Sequence, residues 1–240
     1  MQTAPQALLD CFGANIPEAE IINNSVHNYL YGAYSGKAVV IANLVPALTA
    51  GLAVSALPVV AESFAQGNRL RTQRSVQMVL RITTIVCIPA GLGISALAQE
   101  VCELFFGYNS EVAIGAPLLQ VLAIASIFIA LTAAINSLLQ AVGRVSLPVK
   151  LILIGSLVKL AMNYILVGIP QINIQASPWS TLACYLLVTV LSLIALRQSV
   201  GELGVVSVFV KPLLAGLLCA AFARLSQNLI STVIASRLAV

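Results

Sequence analysis

A lysine stands in the middle of an otherwise apolar stretch, ILIGSLVKLAMNYILV, at residues 152–167. Lys159 follows Lys150 by nine residues, which is roughly 14 Å along a helix at 1.5 Å per residue. Ser156 and Asn163 stand three residues before it and four residues after it, so the three share one helical face. Because a charge at that depth of a membrane is costly, the pattern predicts a functional cation that faces protein or a water-filled cavity.

The alternative for Lys159 is a structural role, in which its ammonium pairs with helix-end carbonyls or with a carboxylate such as Glu62. Arg81 lies about 8 Å inside another apolar stretch, where its guanidinium either extends to the lipid headgroups or holds an anionic ligand. Asn136 and Gln140 share a helical face, as cavity-lining groups or as interhelical hydrogen-bond partners. Each of these polar groups thus has a functional and a structural interpretation.

Prolines interrupt two of the apolar stretches. Pro46 and Pro58 each remove a backbone donor and clash with the preceding turn, so we expect bends near both. Pro89 stands close to two glycines in the next stretch, and Asn43 is a polar group near Pro46. Interrupted helices line substrate paths in transporters, although prolines also occur in ordinary membrane helices.

The composition is that of an integral membrane protein. Of the 240 residues, 60% are hydrophobic and 8% are charged, whereas soluble domains carry about 25% charged residues. The apolar runs are continuous over about 20 residues, which predicts spanning helices and excludes the alternating pattern of a β-barrel. The predicted fold is therefore all-α, with about six transmembrane helices. We expect these spans at roughly 38–65, 76–98, 113–140, 149–169, 178–196 and 209–230.

The positions of lysine and arginine predict the orientation. Three loops carry basic residues: 67–75, 141–150 and 197–211. The two alternate loops carry none: 99–112 and 170–177. Since basic loops stay on the cytoplasmic side, both ends of this chain are expected to be extracytoplasmic.

The spans divide the chain into three parts: an extracytoplasmic segment at 1–36, a transmembrane region at 37–230 and a tail at 231–240. The first part contains acidic residues, no basic residue and no signal-peptide pattern. We expect it to be the remnant of a preceding span, so that the chain is the latter part of a longer transporter. A short acidic tail that crosses the membrane unaided is the alternative.

Several other kinds of chemistry lack support in the sequence. The five cysteines form no C-x-x-C pair, and His27 stands alone in a polar segment, so we predict no metal site and no disulfide framework. The sequence contains neither a phosphate-binding loop nor a catalytic set of residues, and its dispersed basic residues disfavour nucleic-acid binding. We therefore expect a protein that is not an enzyme, that uses no cofactor and whose surroundings are the lipid bilayer.

Three stretches carry a family resemblance: LYGAYSGKAVVIANLVPALTAGLAVSALPVVAESFAQGN, RSVQMVLRITTIVCIPAGLGISALAQEVCELFFG and GRVSLPVKLILIGSLVKLAMNYILVGIPQINI. In order and spacing they resemble the C-terminal half of bacterial polysaccharide-biosynthesis flippases of the stage V sporulation protein B type. These flippases belong to the superfamily of multidrug, oligosaccharidyl-lipid and polysaccharide exporters. The resemblance covers residues 28 to about 220.

The resemblance implies a bacterial inner-membrane transporter of about fourteen spans in two lobes, which moves polyprenyl-linked sugar precursors by alternating access. The six spans here would be the eighth to the thirteenth, and a missing N-terminal lobe would be a partner. Lys159 and Arg81 would bind the diphosphate of a lipid-linked sugar. The asparagines Asn43, Asn136 and Asn163 would bind its polar groups.

On the same resemblance, kinks at Pro46 and Pro89 would permit rocking of the lobe. Two other functions remain open at this point. One is a cation-coupled multidrug exporter, which would require an inward-facing carboxylate, and only Glu62 could serve. The other is a non-transporting membrane fragment that acts as an assembly partner or has no activity.

Overall fold

A computed structural model describes residues 26–107, 110–167 and 173–238 of the chain. Every secondary-structure element in these ranges is helical, which confirms the predicted all-α fold. The elements in chain order are α1 (Val26–Gly32), a π-helical segment (Ala33–Ala38), α2 (Val39–Ala42), α3 (Leu44–Ala65), α4 (Arg69–Ala96), α5 (Ala98–Phe106), α6 (Ser110–Ala141), α7 (Ser146–Val167), a 3₁₀ turn (Asn173–Gln175), α8 (Ala176–Val200) and α9 (Val205–Leu238).

Six helical stretches of the described chain are long and apolar enough to cross a membrane, as the sequence predicts. They are Asn28–Ala65, Arg69–Ala96, Val112–Ala141, Ser146–Leu166, Ala176–Val200 and Val208–Gln227. The chain therefore folds as a multi-pass membrane protein. The short helix α5 joins the second stretch to the third, and we use "the α5 end" for the end of the bundle where it lies.

Three boundaries differ most from the expected ones, and one of them is the start of the second stretch, at Arg69 instead of residue 76. The first stretch begins ten residues before the expected start at residue 38, because Lys37 is buried inside the helical run and does not mark its edge. At the other terminus, α9 continues to Leu238, so most of the segment expected to be a tail is helical. Residues 1–25, which make up most of the expected extracytoplasmic segment, lie outside the described ranges. The side chain of His27 is also outside the described part of the chain.

Helix α6 lies at the centre of the bundle. In the most apolar 18 residues of α6, 67% of the residues are buried, whereas in those of α7 only 6% are buried. The two helices therefore occupy opposite environments. The central helix packs against α3, α4 and α8, and its largest fully buried side chains include Leu119, Leu131 and Ile135. The peripheral helices α7 and α9 pack chiefly on α8 and α4, respectively. Their outer faces carry large exposed apolar side chains, which suits contact with lipid.

A glycine sets the closest approach of each peripheral helix to its neighbour. A Cβ atom added at Gly155 of α7 would overlap the Val188 side chain and lie 3.1 Å from Cys184 Sγ of α8. A Cβ atom added at Gly216 of α9 would lie 2.9 Å from Ile88 Cγ2 of α4. In membranes small residues permit the close packing that drives helix association. These two glycines therefore position α7 and α9.

The expected interruption near Pro46 occurs three residues earlier. Asn43 forms a turn between α2 and α3, and Pro46 is the third residue of α3. Because proline has no N–H, the carbonyl of Ala42 loses the donor that would continue the helix through this point. Helix α3 continues without a break through Pro58, and α4 continues through Pro89.

Candidate functional site

Lys159 and Asn163 lie where α7 packs against α8. The Oγ of Ser180 in α8 donates a hydrogen bond of 2.6 Å to Asn163 Oδ1. One turn away, the half-buried Lys159 lies on the side of α7 where Gly155 approaches Cys184 and Val188 of α8. We call these residues the lysine seam. The two candidates that sequence placed on one face thus lie on the side of α7 that packs against α8.

Ser156 does not join the seam. Its side chain is exposed, and its Oγ donates a hydrogen bond of 2.9 Å to the carbonyl of Leu153 in the same helix. Around the helix axis Lys159 lies about 40° and Asn163 about 80° from Gly155, which approaches α8 most closely, and Ser156 lies furthest from it, at about 100°. The expected polar stripe is therefore narrower, and it consists of Lys159 and Asn163.

No carboxylate of the described ranges lies within ion-pair distance of the Lys159 ammonium. Glu62, the partner considered from sequence, is exposed near the end of α3 opposite the α5 end, where it accepts a hydrogen bond of 3.0 Å from Gln66 Nε2. The structural alternative for Lys159 therefore does not use Glu62. A half-buried ammonium without a neighbouring carboxylate favours an anionic ligand.

Arg81 lies on a different surface from the seam. It is exposed on α4 beside the exposed side chains of Met78 and Ile85, and its carbonyl accepts a hydrogen bond of 2.9 Å from the Thr84 hydroxyl. Helix α4 packs on α3, α6 and α9, whereas α7 packs chiefly on α8. The Arg81 guanidinium is therefore free to meet lipid headgroups or an anion, at some distance from Lys159.

Asn136 belongs to the interior of the bundle. One turn before it, the hydroxyls of Thr132 and Thr189 form a hydrogen bond of 2.8 Å that joins α6 to α8. Asn136 Oδ1 is buried and has no hydrogen-bond partner among the described residues, and the same is true of Ser192 Oγ in α8. The face of α6 that carries Asn136 thus packs against protein. Sequence analysis did not identify the Thr132–Thr189 contact.

Asn43 completes the set of sequence candidates. Its side chain is exposed at the turn between α2 and α3 and forms no capping hydrogen bond with α3. Of the five candidate binding residues, the structure brings Lys159 and Asn163 together and leaves Arg81, Asn136 and Asn43 in three separate environments.

Lys37 is the residue that sequence analysis missed. It lies in the π-helical segment with 9% of its surface exposed, and its Nζ is 5.5 Å from the centroid of the Phe106 ring in α5. Burial raises the pKa of the nearby Cys102 thiol, and the Lys37 charge partly opposes that rise. Segments of π-helix are frequent at functional sites, but amino-acid composition does not predict where one forms. The sequence therefore contained no signal that pointed to Lys37.

Tyr34, in the same π-helical segment, also contacts another helix. The Ser177 hydroxyl at the start of α8 donates a hydrogen bond of 2.9 Å to the Tyr34 hydroxyl. Together with the contact between Lys37 and Phe106, this bond connects the first span to both α5 and α8. The α5 end of the bundle is thus held by polar contacts that involve one short segment.

One family model matches the chain, the model described as MatE, over residues 33–165. The matched range begins in the π-helical segment and includes Lys37, Lys159 and Asn163. No curated protein and no solved structure matches the chain.

Proposed function

The chain belongs to the MatE family of membrane transporters, and on that premise we propose that it is the C-terminal part of a flippase for polyprenyl-linked oligosaccharides or peptidoglycan precursors. The family lies within the exporter superfamily that the sequence resemblance indicated. In this proposal the protein works by alternating access in the bacterial inner membrane, with the α5 end outside. An N-terminal lobe supplied by another segment or chain completes the substrate path.

The surroundings of Lys159 are the observation that supports the proposal. It is a half-buried cation in the middle of a span, and the described residues place no carboxylate beside it. A lipid diphosphate carries negative charge that must be met by cations or hydrogen-bond donors during passage through a membrane. Lys159 supplies the charge, and the amide nitrogen of Asn163 is a donor one turn further along the same face.

The Ser180 hydroxyl positions this pair. Its single proton is shared between Asn163 Oδ1 at 2.6 Å and the Ser177 carbonyl at 2.9 Å, and in this proposal the Asn163 amide nitrogen is left for a ligand. Arg81, exposed on α4, serves in the proposal as a second cation that meets the diphosphate when the two lobes move. Asn43 would contact the sugar from the turn between α2 and α3.

A cation-coupled multidrug exporter is the competing function, and it requires a carboxylate inside the span. The carboxylates whose side chains are described lie near helix ends: Glu62, Glu100, Glu103 and Glu202. A cationic drug in the lysine seam would also meet the like charge of Lys159. Both considerations favour the anionic substrate.

The test measures binding of undecaprenyl diphosphate by the full 240-residue chain in lipid nanodiscs. Lys159→Glu is expected to weaken binding by about tenfold to a hundredfold, because one charge-assisted hydrogen bond contributes about 1.5–3 kcal/mol. Lys159→Arg is expected to retain most of the affinity. The matched control is Lys150→Glu, which reverses a charge in the first turn of the same helix.

Two further ligands separate the competing functions. Undecaprenol, which lacks the diphosphate, should bind equally to the wild type and to Lys159→Glu. The organic cation tetraphenylphosphonium should bind poorly to the wild type. Tight binding of this cation, or an unchanged affinity of Lys159→Glu for undecaprenyl diphosphate, would refute the flippase assignment.

Transport itself requires both lobes. When the chain is produced with an N-terminal lobe of the same family, Lys159→Glu should abolish flipping while the six spans still insert. Co-purification of the two parts supports a transporter in two pieces. A chain that neither associates with such a lobe nor binds the diphosphate would instead be a non-transporting fragment.

A further inference from the structure

A polar cavity lies at the α5 end of the bundle, apart from the lysine seam. It encloses about 340 Å³ between the end of α4, the start of α5, the first turns of α6 and the end of the last span in α9. Its polar lining comprises Ser95, Gln99, Glu100, Gln120, Arg224 and Gln227. Ser95, Gln99 and Glu100 lie at the junction of α4 and α5, and Gln120, Arg224 and Gln227 reach the cavity from α6 and α9.

Hydrogen bonds hold the two charged side chains of this cavity in place. Arg224 Nε donates to the carbonyl of Ala96 at 3.0 Å, and Gln227 Nε2 donates to one carboxylate oxygen of Glu100. The Ser95 hydroxyl donates to the carbonyl of Gln120 at 2.9 Å and joins α4 to α6 beneath the cavity. The charged groups are therefore preorganised without a ligand, which reduces the entropic cost of binding.

Part of each charged group remains available. Among the described residues, no partner is bound to the two terminal nitrogens of the Arg224 guanidinium or to the second carboxylate oxygen of Glu100. The cavity thus offers donors at one side and an acceptor at the other. A ligand that is only anionic would meet the Glu100 carboxylate, and a ligand that is only cationic would meet Arg224. A zwitterion satisfies both charges.

The surface that leads away from the cavity is apolar. On α9, the exposed side chains of Leu217, Leu218, Phe222 and Leu225 flank and precede Arg224. Leu217 lies two turns before Arg224 on the same helical face, in the direction of the membrane interior. A ligand with a zwitterionic head and an apolar tail fits this arrangement, since its chains can lie along α9 while its head enters the cavity.

We propose that this cavity binds the phosphoethanolamine headgroup of a phospholipid, with the phosphate at Arg224 and the primary ammonium at Glu100. The carboxylate needs an N–H donor, which phosphoethanolamine has and phosphocholine lacks. The cavity is distinct from the proposed diphosphate site at Lys159, so the two proposals stand or fall separately. The bound lipid connects α9 to α4 and α5 at the membrane surface.

Lipid retention measured by native mass spectrometry tests the proposal on the full chain. Phosphatidylethanolamine, phosphatidylcholine and phosphatidylglycerol with identical acyl chains compete for the protein. The wild type is expected to retain phosphatidylethanolamine about tenfold over the other two, because a charge-assisted hydrogen bond contributes about 1.5–3 kcal/mol. Arg224→Gln should lower retention of phosphatidylethanolamine by a similar factor. Arg144→Gln, a change at an exposed arginine near the opposite end of α6, should leave it unchanged.

Glu100→Gln provides a second variant that keeps an acceptor for Gln227 and removes the negative charge. It should abolish the preference for phosphatidylethanolamine over phosphatidylcholine while phosphatidylglycerol binds as well or better. Equal retention of the three lipids by the wild type, or equal retention of phosphatidylethanolamine by Arg224→Gln and Arg144→Gln, overturns the proposal.

Soluble probes distinguish a lipid site from a site for a free ion. O-phosphoethanolamine should displace labelled phosphatidylethanolamine only weakly, because it lacks the chains that lie along α9, and inorganic phosphate should not displace it. Displacement by inorganic phosphate at the same concentration as O-phosphoethanolamine would identify a simple anion site and contradict the assignment.

Discussion

Lys37 and Lys159 both lie within apolar helices, and the bundle surrounds them in opposite ways. Lys37 is buried in the π-helical segment at the α5 end of the bundle, and its ammonium lies over the Phe106 ring. Lys159 is half-buried in the lysine seam between α7 and α8, and no carboxylate of the described residues lies within ion-pair distance of its ammonium. The difference predicts that Lys37 contributes to the stability of the fold, whereas Lys159 in the proposed function binds a ligand.

Truncation of the two lysines should give the largest contrast. Lys37→Ala is expected to lower the free energy of unfolding by about 3 kcal/mol, because it leaves a cavity and removes the cation–π contact. Lys159→Ala should change it by less than about 0.5 kcal/mol, since a half-buried charge without a carboxylate partner contributes little. Unfolding of the chain in detergent micelles, followed by far-UV circular dichroism, measures both. Equal losses would remove the distinction between the two lysines.

The packing that places Lys159 can be tested at Gly155. Gly155→Ala should destabilise the protein by about 2 kcal/mol, because the added methyl group overlaps the Val188 side chain. Gly51→Ala is the matched control, since no atom lies within 4 Å of a Cβ atom built there and alanine favours the helix. The same unfolding measurement applies. A Gly155→Ala protein as stable as Gly51→Ala would show that α7 does not approach α8 so closely.

A smaller effect is expected at the hydrogen bond between Ser180 and Asn163. Ser180→Ala should lower the free energy of unfolding by about 0.6–1 kcal/mol, which is typical of interhelical hydrogen bonds in membranes. Ser156→Ala removes a hydroxyl that bonds only to its own helix and should have no measurable effect. If Ser156→Ala were the more damaging change, Ser156 and not Ser180 would belong to the seam.

The smallest effect concerns the Cys102 thiol, which reports the charge of Lys37. Burial raises the pKa of this thiol, and the Lys37 ammonium partly opposes the rise by stabilising the thiolate. Lys37→Met should therefore raise the pKa further and move the pH of half-maximal alkylation upward, because the thiolate is the reactive form. Lys159→Met should leave that pH unchanged. Alkylation at each pH is quantified for Cys102 by peptide mass spectrometry, and identical profiles for the two variants would argue against proximity of Lys37.

Much of the fold was predictable because it depends on local properties of the chain. Continuous apolar runs predict helical spans, and the number of six is confirmed, although the first and second begin ten and seven residues before the expected positions. The expected first span begins directly after Lys37, and a lysine beside an apolar run usually meets the headgroups. Its burial depends on Phe106, which lies 69 residues further along the chain.

The candidate site was predicted in part. Periodicity places Lys159 and Asn163 on one face of α7, and in the structure Asn163 and Gly155 of that face meet α8. Periodicity could not assign Ser156 to the outer side of that face, because the boundary between the contact face and the lipid face depends on the crossing of two helices. Neither could it separate Arg81 and Asn136 from the seam, since all of these positions are polar groups within apolar runs.

By itself the sequence determined that this is an all-helical membrane protein of six spans with a cation deep in the fourth, because hydropathy and helical spacing are properties of each segment alone. The tertiary structure decided which lysine is covered, which polar residues meet and where Arg224 and Glu100 enclose a cavity. Those outcomes depend on contacts between segments far apart in the chain. Close approaches between helices, such as the one at Gly155, determine which of these contacts form. Whether a lysine inside a span is buried or is left without a neighbouring carboxylate therefore depends on the helix packed beside it.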